Sequence, residues 1–419
     1  MTTSVTTTSS SRLPVVSPGD SDSIGRADLK HAPTFDAGIR VPFLDVAGIN
    51  SRFKQEFTEA QARVLSSGWF LRGAETHAFE SEFAASTGAS HCVLVANGYD
   101  ALRLALRAWI SLRRLEAGDE VIVPANSFIA SALAVTDAGL QVRLADVDPH
   151  TFNLSAASLA AALTSRTRAV MPVHLYGQLA DIEAIRAICT DSDLVLLEDA
   201  AQAHGTRRGT ISAGVFGDAG AFSFYPVKNL GALGDSGCLV TRDAALAERV
   251  RMLGDYGSVA KYEHELLGVN SRTDELQAAF LSIKLQRLEH DNDRRRQIAL
   301  RYCTEISHPL IVVPRAPSEP SAHVWHLFVV TTPYRASLIR HLEACGVGTM
   351  IHYPKAIHRQ RAYEGAFAGL PPLPIAERLQ HEVLSLPISP VITDDQAGAV
   401  IAAVNRWPMT DGAGAGPRP

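Results

Sequence analysis

Apolar runs of four to six residues alternate with longer amphipathic stretches through most of this chain. Residues 92–95, 120–124, 141–145, 169–173, 194–197, 219–224 and 237–241 are short and aliphatic, bounded mostly by polar residues or glycine, which is the pattern of buried strands. Between them a 3.6-residue period predicts helices over residues 100–112, 128–138, 155–162 and 182–190. Alternation of that kind builds an α/β layered domain, here with a mainly parallel seven-stranded sheet between helices.

The pattern changes after about Val250. Residues 274–289 read as one long helix with Leu276, Ala279, Phe280, Ile283 and Leu288 on a face, and residues 294–302 continue a helical connection. Strands are expected over 324–330 and 347–352, and helices over 337–345 and 394–405. The chain thus divides into a large domain over residues 38–265 and a smaller α+β domain over 266–408 that carries an interface helix. Residues 1–37, rich in Ser, Thr, Asp and Pro, read as a disordered extension, and residues 409–419 as a flexible tail.

Composition narrows the function classes. No segment has the basic-then-apolar order of a leader, and no apolar run is long enough to span a bilayer. Net charge is −5 and the basic clusters are short (Arg207-Arg208, Arg294-Arg295-Arg296), which argues against nucleic acid as a partner. Five scattered cysteines without a Cys-x-x-Cys pair form neither a disulfide framework nor a zinc site. These features point to a cytoplasmic protein with no metal and small-molecule partners.

Candidate chemistry centres on Lys228, in Phe222-Ser223-Phe224-Tyr225-Pro226-Val227-Lys228-Asn229-Leu230-Gly231, directly after a strand. A second strand ends in Glu198-Asp199. A lysine on a loop beside strand ends, facing an acid at another strand end, is what pyridoxal 5'-phosphate chemistry requires: the amine forms a Schiff base and the carboxylate keeps the pyridine nitrogen protonated. A lone Lys–Asp pair is more often a surface lysine and a strand-end acid; the surrounding residues reverse those odds. Val95-Ala96-Asn97-Gly98-Tyr99-Asp100 passes from strand to helix across a glycine, a natural phosphate site, with Asp100 as a possible N-cap. Phe128 can stack on a planar cofactor or belong to the core. Gln202 can bond a phenolic oxygen, Ser223 offers a hydroxyl to phosphate, and His204 reads as a structural neighbour of the site.

In this order the segments resemble the DegT/DnrJ/EryC1/StrS family of sugar aminotransferases, pyridoxal-phosphate enzymes of fold type I. The likeness runs over residues 42–407 and includes Gly118-Asp119-Glu120-Val121-Ile122-Val123-Pro124 and Glu198-Asp199-Ala200-Ala201-Gln202-Ala203-His204-Gly205. It continues through Ser223 to Gly231, Gly268-Val269-Asn270-Ser271-Arg272-Thr273-Asp274-Glu275-Leu276-Gln277, Ile351-His352-Tyr353-Pro354 with His358, and Glu382-Val383-Leu384-Ser385-Leu386-Pro387.

The resemblance implies Lys228 as the Schiff-base lysine, Asp199 as the pyridine partner, Gln202 at the ring hydroxyl and Phe128 over the ring. Gly98, Tyr99 and Ser223 would surround the phosphate. Asn270 would reach the cofactor of the neighbouring subunit in a homodimer with shared sites. Arg272, His352, Tyr353 and His358 are candidates for substrate. Two departures stand out: Gly98-Tyr99 replaces the frequent Gly-Thr, and Asn270-Ser271-Arg272 replaces Asn-Tyr-Arg. The run from Asn97 to Leu102 is most similar to members that aminate C3 of dTDP-linked 3-keto-6-deoxyhexoses in antibiotic and amino-sugar biosynthesis, with glutamate as donor. C4-aminating and cyclitol-aminating members are the alternatives. Dehydratase relatives carry histidine in place of the lysine, and a non-catalytic regulator would not keep Asp199, Gln202, Ser223, Lys228 and Asn270 together.

Overall fold

A computed structural model describes residues 40–408, so the expected extension over 1–37 and tail over 409–419 lie outside the described residues. Three helices come first, α1 (Val46–Ser51), α2 (Lys54–Ser67) and α3 (Ala74–Thr87). Strands and helices then alternate: β1 (His91–Val95), α4 (Gly98–Ser111), β2 (Glu120–Pro124), α5 (Ile129–Asp137) and β3 (Gln141–Ala145). They continue as α6 (Ala156–Ala162), β4 (Thr167–Val170), α7 (Ile182–Asp191) and β5 (Val195–Asp199). A small ribbon, β6 (Arg207–Arg208) with β7 (Ile211–Ser212), precedes β8 (Ala219–Ser223), β9 (Gly237–Thr241) and α8 (Ala244–Leu253).

Seven of these strands form one sheet in the order β1-β9-β8-β5-β4-β2-β3. β9 runs antiparallel to β1 and β8, and every other pair is parallel. The mainly parallel seven-stranded sheet is therefore present as expected. Its central strands are mostly apolar because both faces are covered. In β1, Val93 and Val95 enter the core shared with α4, α5 and α8, while Cys92 and Leu94 enter the core shared with α3, α6, α7 and α9.

Beyond the sheet lie the hairpin β10 (Ser258–Ala260) and β11 (Glu263–His264), then α9 (Glu275–Leu285) and α10 (Leu288–Glu305). β12 (Phe328–Thr331), α11 (Arg335–Ala344), α12 (Pro374–Glu382), β13 (Val383–Leu386) and α13 (Asp394–Asn405) follow. A separate core gathers Val41, Tyr302, Phe328, Leu342, Leu386 and Trp407.

The structure corrects several local expectations. The helix expected over 274–289 breaks at Gln286 and Arg287, because α9 buries Ala278 and Leu281 in the sheet core while α10 buries Ile298, Ala299 and Tyr302 in the separate one. One straight helix cannot serve both. The strand expected over 324–330 starts only at Phe328, since Trp325 has a left-handed φ of 49°. Residues 347–352 make only isolated bridges, Val347 to Val41 and Met350 to Ser385. Asp100 is not the N-cap of α4; the Asn97 side chain accepts the Asp100 N–H instead.

Candidate active site at the carboxyl edge of the sheet

Parallel strands end on the same edge, and β1, β2, β5 and β8 all deliver their loops there. Gly98, Phe128, Asp199, Ser223 and Lys228 each lie at or just after one of those ends.

Asp199 closes β5 and is 6% exposed. Ser131 Oγ, from the first turn of α5, donates to it at 2.7 Å, and the Ala201 N–H donates at 3.2 Å. Burial raises its pKa; these two hydrogen bonds and the charge of Lys228 oppose the rise. Lys228 is half-buried, and burial pushes its amine down to about 8 against the pull of Asp199. A lysine at that value is about a tenth unprotonated at neutral pH, where an ordinary one is almost wholly charged.

Three imidazoles surround this pair. His204 is fully buried beside the rings of Phe222 and Phe224, and burial and the charge of Lys228 push it down to about 3. His352 is pushed down to about 4 by the same two causes, and His326 is lowered by burial first and Lys228 second. All three are neutral near pH 7, so they add no positive charge to compete with Lys228.

Gln202 is buried between two tyrosines: its Oε1 accepts the Tyr176 N–H at 2.6 Å and its Nε2 donates to the Tyr353 hydroxyl at 3.1 Å. The Tyr176 hydroxyl donates to the His352 carbonyl, and His352 Nδ1 meets Ser385 Oγ at 2.8 Å. Phe128, 54% exposed at the N-cap of α5, faces the Tyr353 ring at 5.4 Å between centroids. The structure therefore brings Phe128, Gln202, His352 and Tyr353 together. Tyr176, Ser131 and His326 were not read from the sequence. The only signal for Tyr176 is its place before a glycine in Leu175-Tyr176-Gly177, where Tyr176 and Gly177 turn with positive φ.

At the first turn of α4, a Cβ on Gly98 would stand 2.6 Å from Ser223 Cβ, so main chain and hydroxyl adjoin. The Gly98 and Tyr99 N–H groups open α4 and have no partner within it. That donor set at the positive end of a helix fits a phosphate, and the buried carboxylate beside a half-buried lysine fits a protonated pyridine ring. Tyr99 contributes only main chain, because its ring is turned toward Arg103 and Asp137.

Other candidates lie apart. Asn270 is exposed and bridges Asp255, and Arg272 pairs with Asp255 at 3.3 Å over the Tyr256 ring. His358 Nε2 is held by Glu377 at 3.1 Å. Among the described residues no hydrogen bond or ion pair joins these three to Lys228 or Asp199. Ser271, where an aromatic was expected, is buried; it donates to Asp100 at 2.6 Å and accepts the Ala96 N–H at 3.0 Å.

Comparison with known proteins matches this architecture. The model of the DegT/DnrJ/EryC1/StrS aminotransferase family matches residues 51–405. The dTDP-3-amino-3,6-dideoxy-alpha-D-galactopyranose transaminase of Aneurinibacillus thermoaerophilus is 47% identical over 371 residues, 88% of this chain and 99% of that protein. The dTDP-3-amino-3,4,6-trideoxy-alpha-D-glucose transaminase of Streptomyces venezuelae is 46% identical, covering 88% of this chain and 96% of the relative. The crystal structure of S. venezuelae DesV in complex with a ketimine intermediate superposes with a TM-score of 0.83 at 46% identity, over 88% of this chain and 98% of that one.

Proposed function

Because the chain belongs to the DegT/DnrJ/EryC1/StrS aminotransferase family, we propose that it moves an amino group from glutamate to C3 of a dTDP-linked 3-keto-6-deoxyhexose. It is a pyridoxal-phosphate-dependent aminotransferase of fold type I. The observation that carries the reading is the Lys228 amine, lowered to about 8, facing buried Asp199 at the carboxyl edge of the sheet. The two transaminases above, both named for 3-amino dTDP-sugars, support the substrate class and the position of amination.

When bound, the cofactor supplies an electron sink for the carbon that gains or loses nitrogen. Lys228 would hold it covalently, and its amine would carry the proton to and from that carbon. Asp199 would keep the ring nitrogen protonated. Gln202 would meet the ring hydroxyl, Phe128 would cover the ring, and Gly98, the Tyr99 N–H and Ser223 would hold the phosphate. Tyr353 and His352 border the space left for substrate, whereas Arg272 and His358 serve it less directly, given their ties to Asp255 and Glu377.

The working unit is a homodimer in which Asn270 of each chain reaches the partner's cofactor phosphate. Its support is the exposure of Trp69, Phe70, Leu71, Tyr256, Tyr262 and Leu267, large apolar side chains that cluster in the segments flanking Asn270 and its Asp255–Arg72 neighbours. Five free cysteines suit a reducing cytoplasm, and no helix among the described residues is long and apolar enough to cross a membrane. A large domain built on the sheet and a smaller one built on the Tyr302–Phe328 core complete the reading. A panel of nucleotide-linked 3-keto and 4-keto sugars with glutamate tests it. Mass and NMR analysis should find the new amine on C3; an amine on C4, or no turnover of any 3-keto sugar, overturns the substrate assignment.

A further inference from the structure

Lys284 is 6% exposed in the last turn of α9, and among the described residues it makes no ion pair. Its Nζ donates to Asn50 Oδ1 of α1 at 3.0 Å and to the Gly231 carbonyl. Its charged neighbours are Arg52 and Asp291, which are paired with each other at 2.7 Å. A buried ammonium satisfied only by neutral oxygens costs stability that an apolar side chain of similar length would not.

Gly231 lies three residues after Lys228, in the loop between β8 and β9. That loop is folded on itself: the Lys228 N–H donates to the Tyr225 carbonyl at 2.8 Å, the Ala232 N–H to Phe224 at 2.7 Å, and a Cβ on Gly231 would lie 2.6 Å from the Pro226 carbonyl oxygen. A second hold lies one residue after the lysine. Asn229 Nδ2 donates to Asn292 Oδ1 at 2.8 Å and to the Val324 carbonyl at 3.1 Å, and its Oδ1 meets His326 Nδ1 at 3.1 Å. Lys284 belongs to α9 and Asn292 to α10. They reach the same loop from either side of the break at Gln286 and Arg287.

We propose that Lys284 is a positioning residue: held between Asn50 and Gly231, it fixes the loop three residues after Lys228 so that the Lys228 amine faces Asp199. This rests on Lys228 being the residue that binds the cofactor. Asn229 steadies the loop directly behind the lysine, and Lys284 steadies it two residues further on, at Gly231.

The test is made on the full chain stripped of cofactor, with pyridoxal phosphate added and the covalent link trapped by borohydride. Peptide mass places the trapped group. In the wild type it must fall on Lys228; any other lysine overturns the parent reading, and with it this one. In Lys284→Met the melting temperature should hold or rise, while capture at Lys228 slows about tenfold or more, because a loop shifted by a fraction of an ångström misplaces the nucleophile. Lys284→Gln keeps an N–H donor and should recover to within about threefold of the wild type. Capture by Lys284→Met at the wild-type rate, or slowed only in step with a lower melting temperature, overturns the proposal. Should Lys284→Met fail to fold, Asn50→Ala reads the same hold: the ammonium loses one of two acceptors, and an unchanged capture rate overturns the proposal equally.

Discussion

The Lys228 amine and the Asp199 carboxylate set each other's protonation. Burial drives the proton off Lys228, and the negative charge of Asp199 holds it on, leaving the amine near 8. Capture of pyridoxal phosphate by the apoprotein needs the neutral amine, so its rate should climb with pH and level off above about 8. Asp199→Asn removes the charge that favours the protonated form, which moves the midpoint lower. Stopped-flow absorbance across pH measures both, and a wild-type midpoint near that of a free lysine would sink the argument. Asp199→Asn should still bind cofactor yet lose transamination by at least about a hundredfold, as sites stripped of a charge-stabilising group do. Lys228→Ala should hold cofactor only by its phosphate and ring contacts, with nothing for borohydride to trap. These two residues were legible because each stands in a contiguous segment whose strand-then-turn pattern is local. Tyr176 was not: its place depends on a left-handed φ of 61° and on partners far along the chain, Gln202 and His352.

At the scale of elements, α3 begins without a capping side chain, since Gly73 stands at its N-cap. The cap comes from the first residue of α9. Glu275, 2% exposed, accepts the N–H groups of Gly73, Glu75 and Thr76 at 2.7, 2.9 and 3.0 Å, and the Thr76 hydroxyl as well. Burial works to raise its pKa, but the hydrogen bonds from Thr76 and the three main-chain donors outweigh it, and the value lies below that of a free glutamate. A carboxylate lowered in the fold contributes stability that is present above its unfolded pKa and is lost as pH falls through the folded one. Glu275→Gln should therefore cost about 1–2 kcal/mol near neutral pH, the scale of a lost charged cap. It should also flatten the fall of stability below about pH 4.5. Urea unfolding at pH 7 and pH 4 checks this, and equal losses at both would refute the charge argument. The alternation of strand and helix showed the sheet in the sequence because most of its strands are buried on both faces. The break between α9 and α10 was hidden, because its cause is a second core whose members, Val41 apart, all come from residues 298–407, and which the local helical period does not reveal.

For the whole molecule the question is what covers Trp69, Phe70, Tyr256, Tyr262 and Leu267, all exposed in the single chain. Nothing in strand or helix periodicity marks them, because they are apolar residues in turns and loops. Asn270 lies among their segments, exposed and tied to Asp255 only through the main chain, with its amide free of the Lys228 site of its own chain. An uncharged amide can donate to a phosphate without burying an unpaired charge. A two-fold interface is self-complementary, so each chain would both give and receive this contact. Asn270→Asp places a negative charge where a phosphate is expected and should inactivate the enzyme while leaving the fold intact. Mixed with the equally inactive Lys228→Ala chain under conditions of proven subunit exchange, it should restore activity. One site of each mixed dimer collects both defects and the other collects neither, so random exchange yields about a quarter of wild-type activity. Sedimentation of the mixture establishes the dimer, and the coupled assay for 2-oxoglutarate reads the recovery. A fully active monomer, or no recovery despite exchange, would show that each chain builds its site alone.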